Sequence, residues 1–340
     1  MRILQVFKNY DPSNGGVERH IDGICKTINK RFLISFIFEK SNKFHKYRKN
    51  YKIFKNKNFN FIKHIYSSDV IHIHGARIAS NLKFFIFGKI CNKKIIYTPH
   101  CYYDSKNFLN NLIKKIWDFS IEKIIYKYSD TVILLNNYWL EYAKKKKFFT
   151  RRVKIIPNCV MKKNIKTIKF NKKNNSINIL SLSRLDKVKR IDDIINAFSQ
   201  TDKNNILHIV GNGNAFQKYL TKYKSFKNIK FYGFLNDHEL NKLLPSIDVF
   251  IIASEKEGMP TTIIEMIIRG IPVIASKIPG NVAILKNLND KYMFNVGDIN
   301  KITQIMKNKK FILKKKLQDS VINNFTWEKK IFEIEKIYEN

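Results

Sequence analysis

Acidic residues are scarce in this chain. Only 27 Asp and Glu stand against 64 Lys and Arg, which leaves a formal net charge of +37. The abundance of Lys, Asn, Ile and Phe is what an AT-rich genome produces, but such drift does not by itself deplete carboxylates. The imbalance therefore implies a field that draws phosphate groups, whether on nucleotides, anionic lipid or nucleic acid. Cysteine is equally sparse. Cys25, Cys91, Cys101 and Cys159 form no C-x-x-C pair, so they fit neither a zinc motif nor a disulfide framework and read as reduced thiols. Long apolar runs are missing as well: 84–87 and 249–253 are far too short to span a bilayer. The opening MRILQVFKNYDPSNGG lacks the charged start, apolar centre and small-residue cleavage site of a signal peptide, so a cytoplasmic location is expected. No D-x-D triplet occurs. A diphosphate bound here would have to be neutralised by cationic side chains and helix N-termini, and neither a metal nor a cofactor is expected.

At 340 residues and 44% hydrophobic, the chain can build two hydrophobic cores. Short β-rich apolar runs at 3–7, 32–38, 70–74, 95–98, 132–135 and 153–156 alternate with helix-length stretches. The pattern resumes at 177–183, 207–210, 229–232, 249–253 and 272–276. These runs are near-continuously apolar, as parallel strands buried on both faces require. The fold class is therefore α/β, with two doubly wound Rossmann-like domains facing a central cleft at the carboxyl ends of their strands. The expected limits are 1–158 for the first domain, 159–176 for a polar, basic linker and 177–324 for the second domain. In 325–340, Trp327, Ile331, Ile334 and Ile337 stand at helical spacing and predict a closing helix.

Residues 40–68 carry nine Lys/Arg, seven Phe/Tyr and no acid. That composition suits an anionic membrane surface or a nucleic acid, and equally a solvated basic face over ordinary core aromatics. Phe108, Leu109, Leu112, Ile113, Ile116 and Trp117, beside Lys114 and Lys115, form a second amphipathic candidate, for which core burial is the other reading.

The densest motif is SEKEGMPTTIIEMIIRGIPVIAS, 254–276. Glu257 falls in a Gly/Pro loop after an apolar strand, and Glu265 inside the helix that follows. Two carboxylates around a strand-to-helix turn can meet two parts of one polyhydroxyl ligand, such as a sugar nucleotide. Gly15 and Gly16 lie between the first strand and a helical pattern at 17–30. Such glycines let the backbone approach a diphosphate at a helix start, and also suit a plain turn. His100 ends the run IIYTPH at the carboxyl edge of a sheet, as a ligand contact or a hydrogen-bonded surface histidine. His72 and His74 alternate with apolar residues in a strand and read as structural, because no third metal ligand stands nearby. Arg184 and Lys189 flank the turn after the first strand of the second domain, where both can point at one anionic group or remain solvated. Gly211-Asn212-Gly213, after LHIV, holds only part of a dinucleotide fingerprint and reads better as a turn.

Together, and in this order, these elements resemble the retaining GT-B glycosyltransferases, specifically glycosyltransferase family four. Glu257-GMPTTII-Glu265 is similar to the family's E-x7-E, and RGIPVIAS to its G-x-P-V-I-A-S strand. Ser183, Arg184, Leu185 and Lys189 match S-R-L-x-x-x-x-K, Val210-GNG matches V-G-x-G, and Ile156-Pro157-Asn158 matches I-P-N. The N-terminal GG, the D-V-I-H-x-H strand and the T-x-H strand end are present too. FTWEKK, 325–330, resembles the helix that crosses back to the first domain. Cys159 departs from the Gly usual after the Asn, and Ile267 and Ile268 replace small residues, changes that bear on packing rather than on the expected chemistry.

The resemblance implies that Arg184 and Lys189 hold the donor diphosphate, with Gly16 approaching it. It implies Glu265 on the ribose hydroxyls and Glu257 and His100 on the donor sugar. Gly15, Gly211, Gly258, Met259, Pro260, Thr261, Thr262 and Ile263 are the further donor-binding candidates, largely through backbone. Anomeric configuration is retained, and the leaving diphosphate oxygen helps to deprotonate the acceptor. The expected activity is metal-independent transfer of a hexose or N-acetylhexosamine from a nucleotide diphosphate sugar, by expectation a UDP-sugar. The expected acceptor is a growing, lipid-linked bacterial surface glycan: lipopolysaccharide, O-antigen or capsule. Partners are then the nucleotide sugar, a glycan or glycolipid acceptor and an anionic membrane surface, with the protein peripheral on the inner face of the cytoplasmic membrane and nucleic acid not expected. Two alternatives stay open. One is the same fold acting on nucleic acid, motivated by the charge. The other is a non-catalytic binding subunit of a glycan assembly complex, against which the intact Glu257, Glu265, Arg184 and Lys189 stand.

Overall fold

The computed structural model describes residues 1–9, 16–40, 51–55, 61–103, 107–168, 176–285 and 290–340. The candidate Gly15 lies outside the described residues, as do 41–50 and 56–60 of the basic aromatic segment. The chain divides into two compact units, Met1–Met161 with Phe325–Asn340, and Lys162–Asn324.

The first unit is built on seven parallel strands: β1 (Arg2–Asn9), β2 (Leu33–Lys40), β3 (Tyr51–Lys55), β4 (Val70–His74), β5 (Lys94–Thr98), β6 (Thr131–Leu134) and β7 (Val153–Ile155). Their order is β3-β2-β1-β4-β5-β6-β7. Strands β4 and β6 are buried along their whole length, which is why they are mostly apolar, with His72, His74 and Thr131 as the buried polar exceptions. The expected strands are all found, and β3 is an addition. Its sequence, YKIFK, has no apolar run to announce it, and it occupies a sheet edge.

The second unit has six parallel strands: β8 (Asn178–Leu182), β9 (Ile206–Val210), β10 (Ile229–Gly233), β11 (Val249–Ile252), β12 (Val273–Ser276) and β13 (Met293–Phe294). The order is β10-β9-β8-β11-β12-β13, and the two-residue β13 is too short to leave a pattern in the sequence. Both sheets reverse their order at the first strand. Strand β1 lies between β2 and β4, and β8 between β9 and β11. At such a reversal the loops leaving neighbouring strands turn to opposite faces, and the carboxyl end of the sheet opens a crevice.

The chain leaves the first unit and returns to it at one point. Val160 N–H donates to Phe325 O (3.0 Å) and Trp327 N–H to Val160 O (3.0 Å). The closing helix Trp327–Glu339 buries Trp327, Ile334, Ile337 and Tyr338 and packs on the helix Gly16–Thr27. Gly23 is the seat of Trp327: a Cβ there would lie 2.0 Å from the indole Nε1.

The helix Phe108–Trp117 has no buried residue, so core burial is not its role. Phe108, Leu109 and Ile113 are 79%, 67% and 61% exposed. A π-helical turn, Asp118–Glu122, follows and swings two acids inward. Asp118 accepts two guanidinium bonds from Arg77 (2.7 and 2.6 Å). Glu122 accepts from Tyr97, Tyr102 and Trp117 at 2.6, 2.7 and 3.0 Å. Among the described residues, no helix is long and apolar enough to cross a membrane.

Candidate active site

In the second unit, the loops after β8, β9 and β11 are stitched together beside the switch point. Ser183 N–H donates to Val210 O (3.1 Å), Leu185 N–H to Asn212 O (3.0 Å) and Glu255 N–H to Val188 O (2.9 Å). Gly211 permits this closeness. Its φ is +134°, and a Cβ would stand 1.9 Å from Ser183 O. The GNG turn thus packs directly against the loop that carries Arg184.

Lys189 ends a 3-10 turn, Lys187–Lys189, and reaches Glu257 Oε1 at 2.5 Å. Ser254 Oγ donates to the same oxygen at 2.7 Å. The two charged side chains are only 16% and 11% exposed, so each needs the other: removing one would leave a poorly hydrated charge behind. A second tier supports the Glu257 loop. Ser276 Oγ donates to Ser254 O (2.7 Å), and Asn281 Nδ2 to Ser276 O (2.9 Å). Gly280 lies so close that a Cβ would come within 2.5 Å of Glu257 O. Arg184 differs from Lys189. It is 63% exposed, and its Nε lies 2.6 Å from Asp186 Oδ2 in an ion pair. Ser183 Oγ, beside it, is buried with no hydrogen-bond partner among the described residues.

The helix Thr261–Arg269 starts where the Glu257 loop ends. Pro260 is its N-cap, with no side-chain capping bond, so the first N–H groups lack an intrahelical partner and carry the positive end of the helix dipole. Gly258, Met259, Pro260, Thr261 and Ile263 are buried, while Thr262 and Glu265 are half-buried. Ile267 and Ile268 sit fully inside the core, and Gln318 Nε2 donates to Ile268 O (3.0 Å).

In the first unit, Gly16 opens its helix and is exposed. His100, two residues beyond β5, is buried rather than on the surface. Its φ is +61°, a left-handed conformation uncommon outside glycine. His100 Nε2 lies 3.1 Å from His74 Nδ1, with the rings stacked at 5.4 Å. His20 meets His100 edge-on at 5.0 Å and Trp327 at 4.9 Å. A ligating atom from each of His20, His74 and His100 lies within 4.8 Å of the others. This corrects the expectation that no third potential ligand stands near His74: residues distant in sequence converge where β4, β5 and the first helix meet. Both nitrogens of His74 are engaged, one by His100 and one by Gln5 Oε1 at 2.6 Å, so His74 and His100 are organised by hydrogen bonds, whereas neither ring nitrogen of His20 has a hydrogen-bond partner among the described residues. His72 is structural, held by Tyr338 OH (2.9 Å) and Thr98 Oγ1 (2.8 Å).

Burial governs the charge of these rings. It lowers His20 to about 4, partly offset by the neighbouring Asn158 side chain, and it holds His72, His74 and His100 well below the ordinary histidine value. All four are neutral at pH 7. They present hydrogen-bonding edges without charge, which suits hydroxyl groups.

The structure brings Lys189 and Glu257 into direct contact, with the helix start and Glu265 beyond them and Arg184 on the same loop as Lys189. It joins His100 to His74 and His20. Sequence reasoning missed Ser254, Ser276, Asn281 and Gly280 around Glu257, and Gln5, His20 and Tyr338 around His74. Only Ser276 had a local signal, as the end of the VIAS strand.

Residues 14–162 match Glycosyltransferase Family 4, and residues 162–325 match Glycosyl transferases group 1. The "UDP-Gal:alpha-D-GlcNAc-diphosphoundecaprenol alpha-1,3-galactosyltransferase" of Escherichia coli is 25% identical over 298 residues, covering 79% of this chain and 75% of its own. An "Uncharacterized 41.2 kDa protein in cps region" of Klebsiella pneumoniae is 27% identical over 254 residues, covering 70% and 68%. Among solved structures, Anabaena Alr3699/HepE in complex with UDP and glucose superposes with a TM-score of 0.80 at 16% identity, covering 100% of this chain and 99% of that one. The fold is that of the GT-B glycosyltransferases. With residues 14–325 matched between the two families, the chain belongs to glycosyltransferase family four and is a glycosyltransferase.

Proposed function

We propose that this glycosyltransferase moves a hexose or N-acetylhexosamine from a nucleotide diphosphate sugar to a lipid-linked surface glycan, with retention of configuration and without a metal. The observation that carries the reading is the Lys189–Glu257 pair at the switch point of the second sheet, 2.5 Å across and largely shielded from water. A diphosphate entering this loop would share Lys189 and free Glu257 to accept from sugar hydroxyls. Arg184, exposed and on the same loop, supplies a planar fork for phosphate oxygens. The unpartnered Ser183 hydroxyl and the uncapped start of Thr261–Arg269 add neutral donors. Glu265 takes the ribose hydroxyls. Gly16 supports the diphosphate and Gly211 shapes the loop, while His100, neutral, contacts the sugar. Catalysis is then positioning together with stabilisation of charge on the leaving diphosphate, whose oxygen takes the acceptor proton on the same face.

The Escherichia coli relative, named for UDP-Gal and a diphosphoundecaprenol-linked acceptor, supports a UDP-sugar and a lipid-linked acceptor here. The exposed face of Phe108–Trp117, with Lys114 and Lys115 in its last turn, supports docking on an anionic membrane surface. The test is incubation with a panel of UDP-, GDP- and ADP-sugars in the presence of EDTA, following nucleotide release and assigning the product anomer by NMR. No turnover with any donor counts against transfer, and an inverted product counts against retention. In a vesicle pull-down with anionic lipid, Phe108→Glu with Ile113→Glu should lose binding. Undiminished binding would remove this face as the membrane contact.

A further inference from the structure

The buried histidines belong to a longer chain of hydrogen bonds. His100 Nε2 lies 3.1 Å from His74 Nδ1, and His74 Nε2 lies 2.6 Å from Gln5 Oε1. Gln5 Nε2 donates to Tyr338 OH at 2.8 Å. Tyr338 OH lies 2.9 Å from His72 Nδ1, and His72 Nε2 lies 2.8 Å from Thr98 Oγ1. Strands β1, β4 and β5 and the closing helix each contribute. Gln5, His72, His74, Thr98 and Tyr338 are fully buried and His100 nearly so, so water does not interrupt the chain.

Donor counting fixes the protons. An amide oxygen only accepts, so His74 must carry its proton on Nε2. A neutral imidazole has one N–H, which leaves His74 Nδ1 bare and able only to accept from His100 Nε2–H. His100 then has a bare Nδ1, which makes no hydrogen bond among the described residues. On the other side, the Gln5 amide donates to Tyr338, whose O–H donates to His72 Nδ1, and His72 Nε2–H donates to Thr98. Each imidazole and hydroxyl can serve in either direction. Gln5 alone has one end that only donates and one that only accepts, so its orientation polarises the whole chain.

We propose that Gln5 is a positioning residue: held by Tyr338 of the closing helix, it sets the tautomers of His74 and His100 so that His100 Nδ1 is presented as an acceptor for a donor-sugar hydroxyl. The left-handed backbone at His100 serves this aim, holding the ring against His74 at the edge of the sheet. The proposal rests on the reading of His100 as a sugar contact, but the tautomers can be measured without any sugar.

Long-range 1H–15N correlation spectra of the 15N-labelled, ligand-free protein report the tautomer of each imidazole. The expected result is an Nε2–H form for His72, His74 and His100. An Nδ1–H form of His74 or His100 overturns the proposal. Gln5→Met keeps length and removes the amide. It should give mixed tautomers at His74 and His100 and lower kcat/KM about tenfold, with affinity for the free nucleoside diphosphate changed less than about twofold. Unchanged tautomers with unchanged kcat/KM overturn it, and so does an equal loss of free-nucleotide affinity, which marks a structural effect. If Gln5→Met does not fold, Tyr338→Phe frees the amide to turn and should mix the same tautomers. If the wild-type tautomers are as expected but His100→Ala binds the sugar nucleotide as well as the wild type, the sugar contact is lost and with it the role assigned to Gln5.

Discussion

At the carboxyl end of β8, the second unit gathers charge: Lys189 and Glu257 pair at 2.5 Å, and Arg184 stands exposed on the same loop. At the matching end of the first sheet, where β1, β4 and β5 lie side by side, the chain gathers neutral imidazoles linked through Gln5. Both regions sit at a reversal of strand order, and in both the paired polar groups are largely buried. They differ in how their polar groups are satisfied. An ion pair can be reopened by a competing charge, which fits a diphosphate. A closed chain of neutral hydrogen bonds offers a fixed pattern of donors and acceptors, which fits hydroxyls.

The largest expected effect falls on the charged side. Glu257→Gln and Arg184→Ala should each lower kcat/KM by about 10²–10³-fold in steady-state assays with the preferred donor. Wild-type rates in either variant would take that residue out of the site. The next test separates the units by pH. Burial lowers His20 to about 4 from an unfolded value near 6.5, so the unfolded chain binds more protons in that window. The contribution of His20 to stability is therefore fully present above pH 6.5, falls as the pH drops, and is lost by about pH 4. His20 alone accounts for roughly 3 kcal/mol at 1.36 kcal/mol per pKa unit. His72, His74 and His100 add in the same direction, whereas Glu122, raised by burial, opposes them. Trp117, Trp139 and Trp327 all lie in the first unit, so denaturation followed by tryptophan fluorescence reports it selectively. A flat stability profile between pH 7 and 4.5 would contradict the neutral cluster.

Two substitutions of intermediate size probe each region's scaffold. Gly23→Ala drives a methyl into Trp327, the indole that packs on His20, and should destabilise the first unit by about 1–3 kcal/mol in urea denaturation. Glu257→Gln leaves the largely buried Lys189 without its carboxylate and should cost about 1–3 kcal/mol in the second unit. The smallest effect contrasts with the last. Arg184 pairs with Asp186 in the open, so Arg184→Ala should change stability by no more than about 0.5 kcal/mol despite its loss of activity. A large destabilisation would mean that Arg184 supports the fold rather than the ligand.

Much of the architecture could be read in advance, because parallel strands buried on both faces are mostly apolar along their length, as 132–135 and 249–253 are. Edge strand β3 escaped because a Lys-flanked pentapeptide carries no such run. The site was half legible. Glu257, Arg184 and Lys189 sit in local motifs at strand-to-helix turns, whereas His20 lies mid-helix and Gln5 mid-strand, with nothing around either to mark it.

By itself, the sequence determined the order of strands and helices, the family, and which short segments carry the chemistry, since periodicity and motif spacing are local properties. Tertiary structure alone decided the partners. Lys189 and Glu257 are 68 residues apart, His74 and His100 26, and Gln5 and Tyr338 333. They meet because strand order, not sequence distance, sets which loops share the carboxyl end of a sheet. The closing helix adds Tyr338 from the far end of the chain.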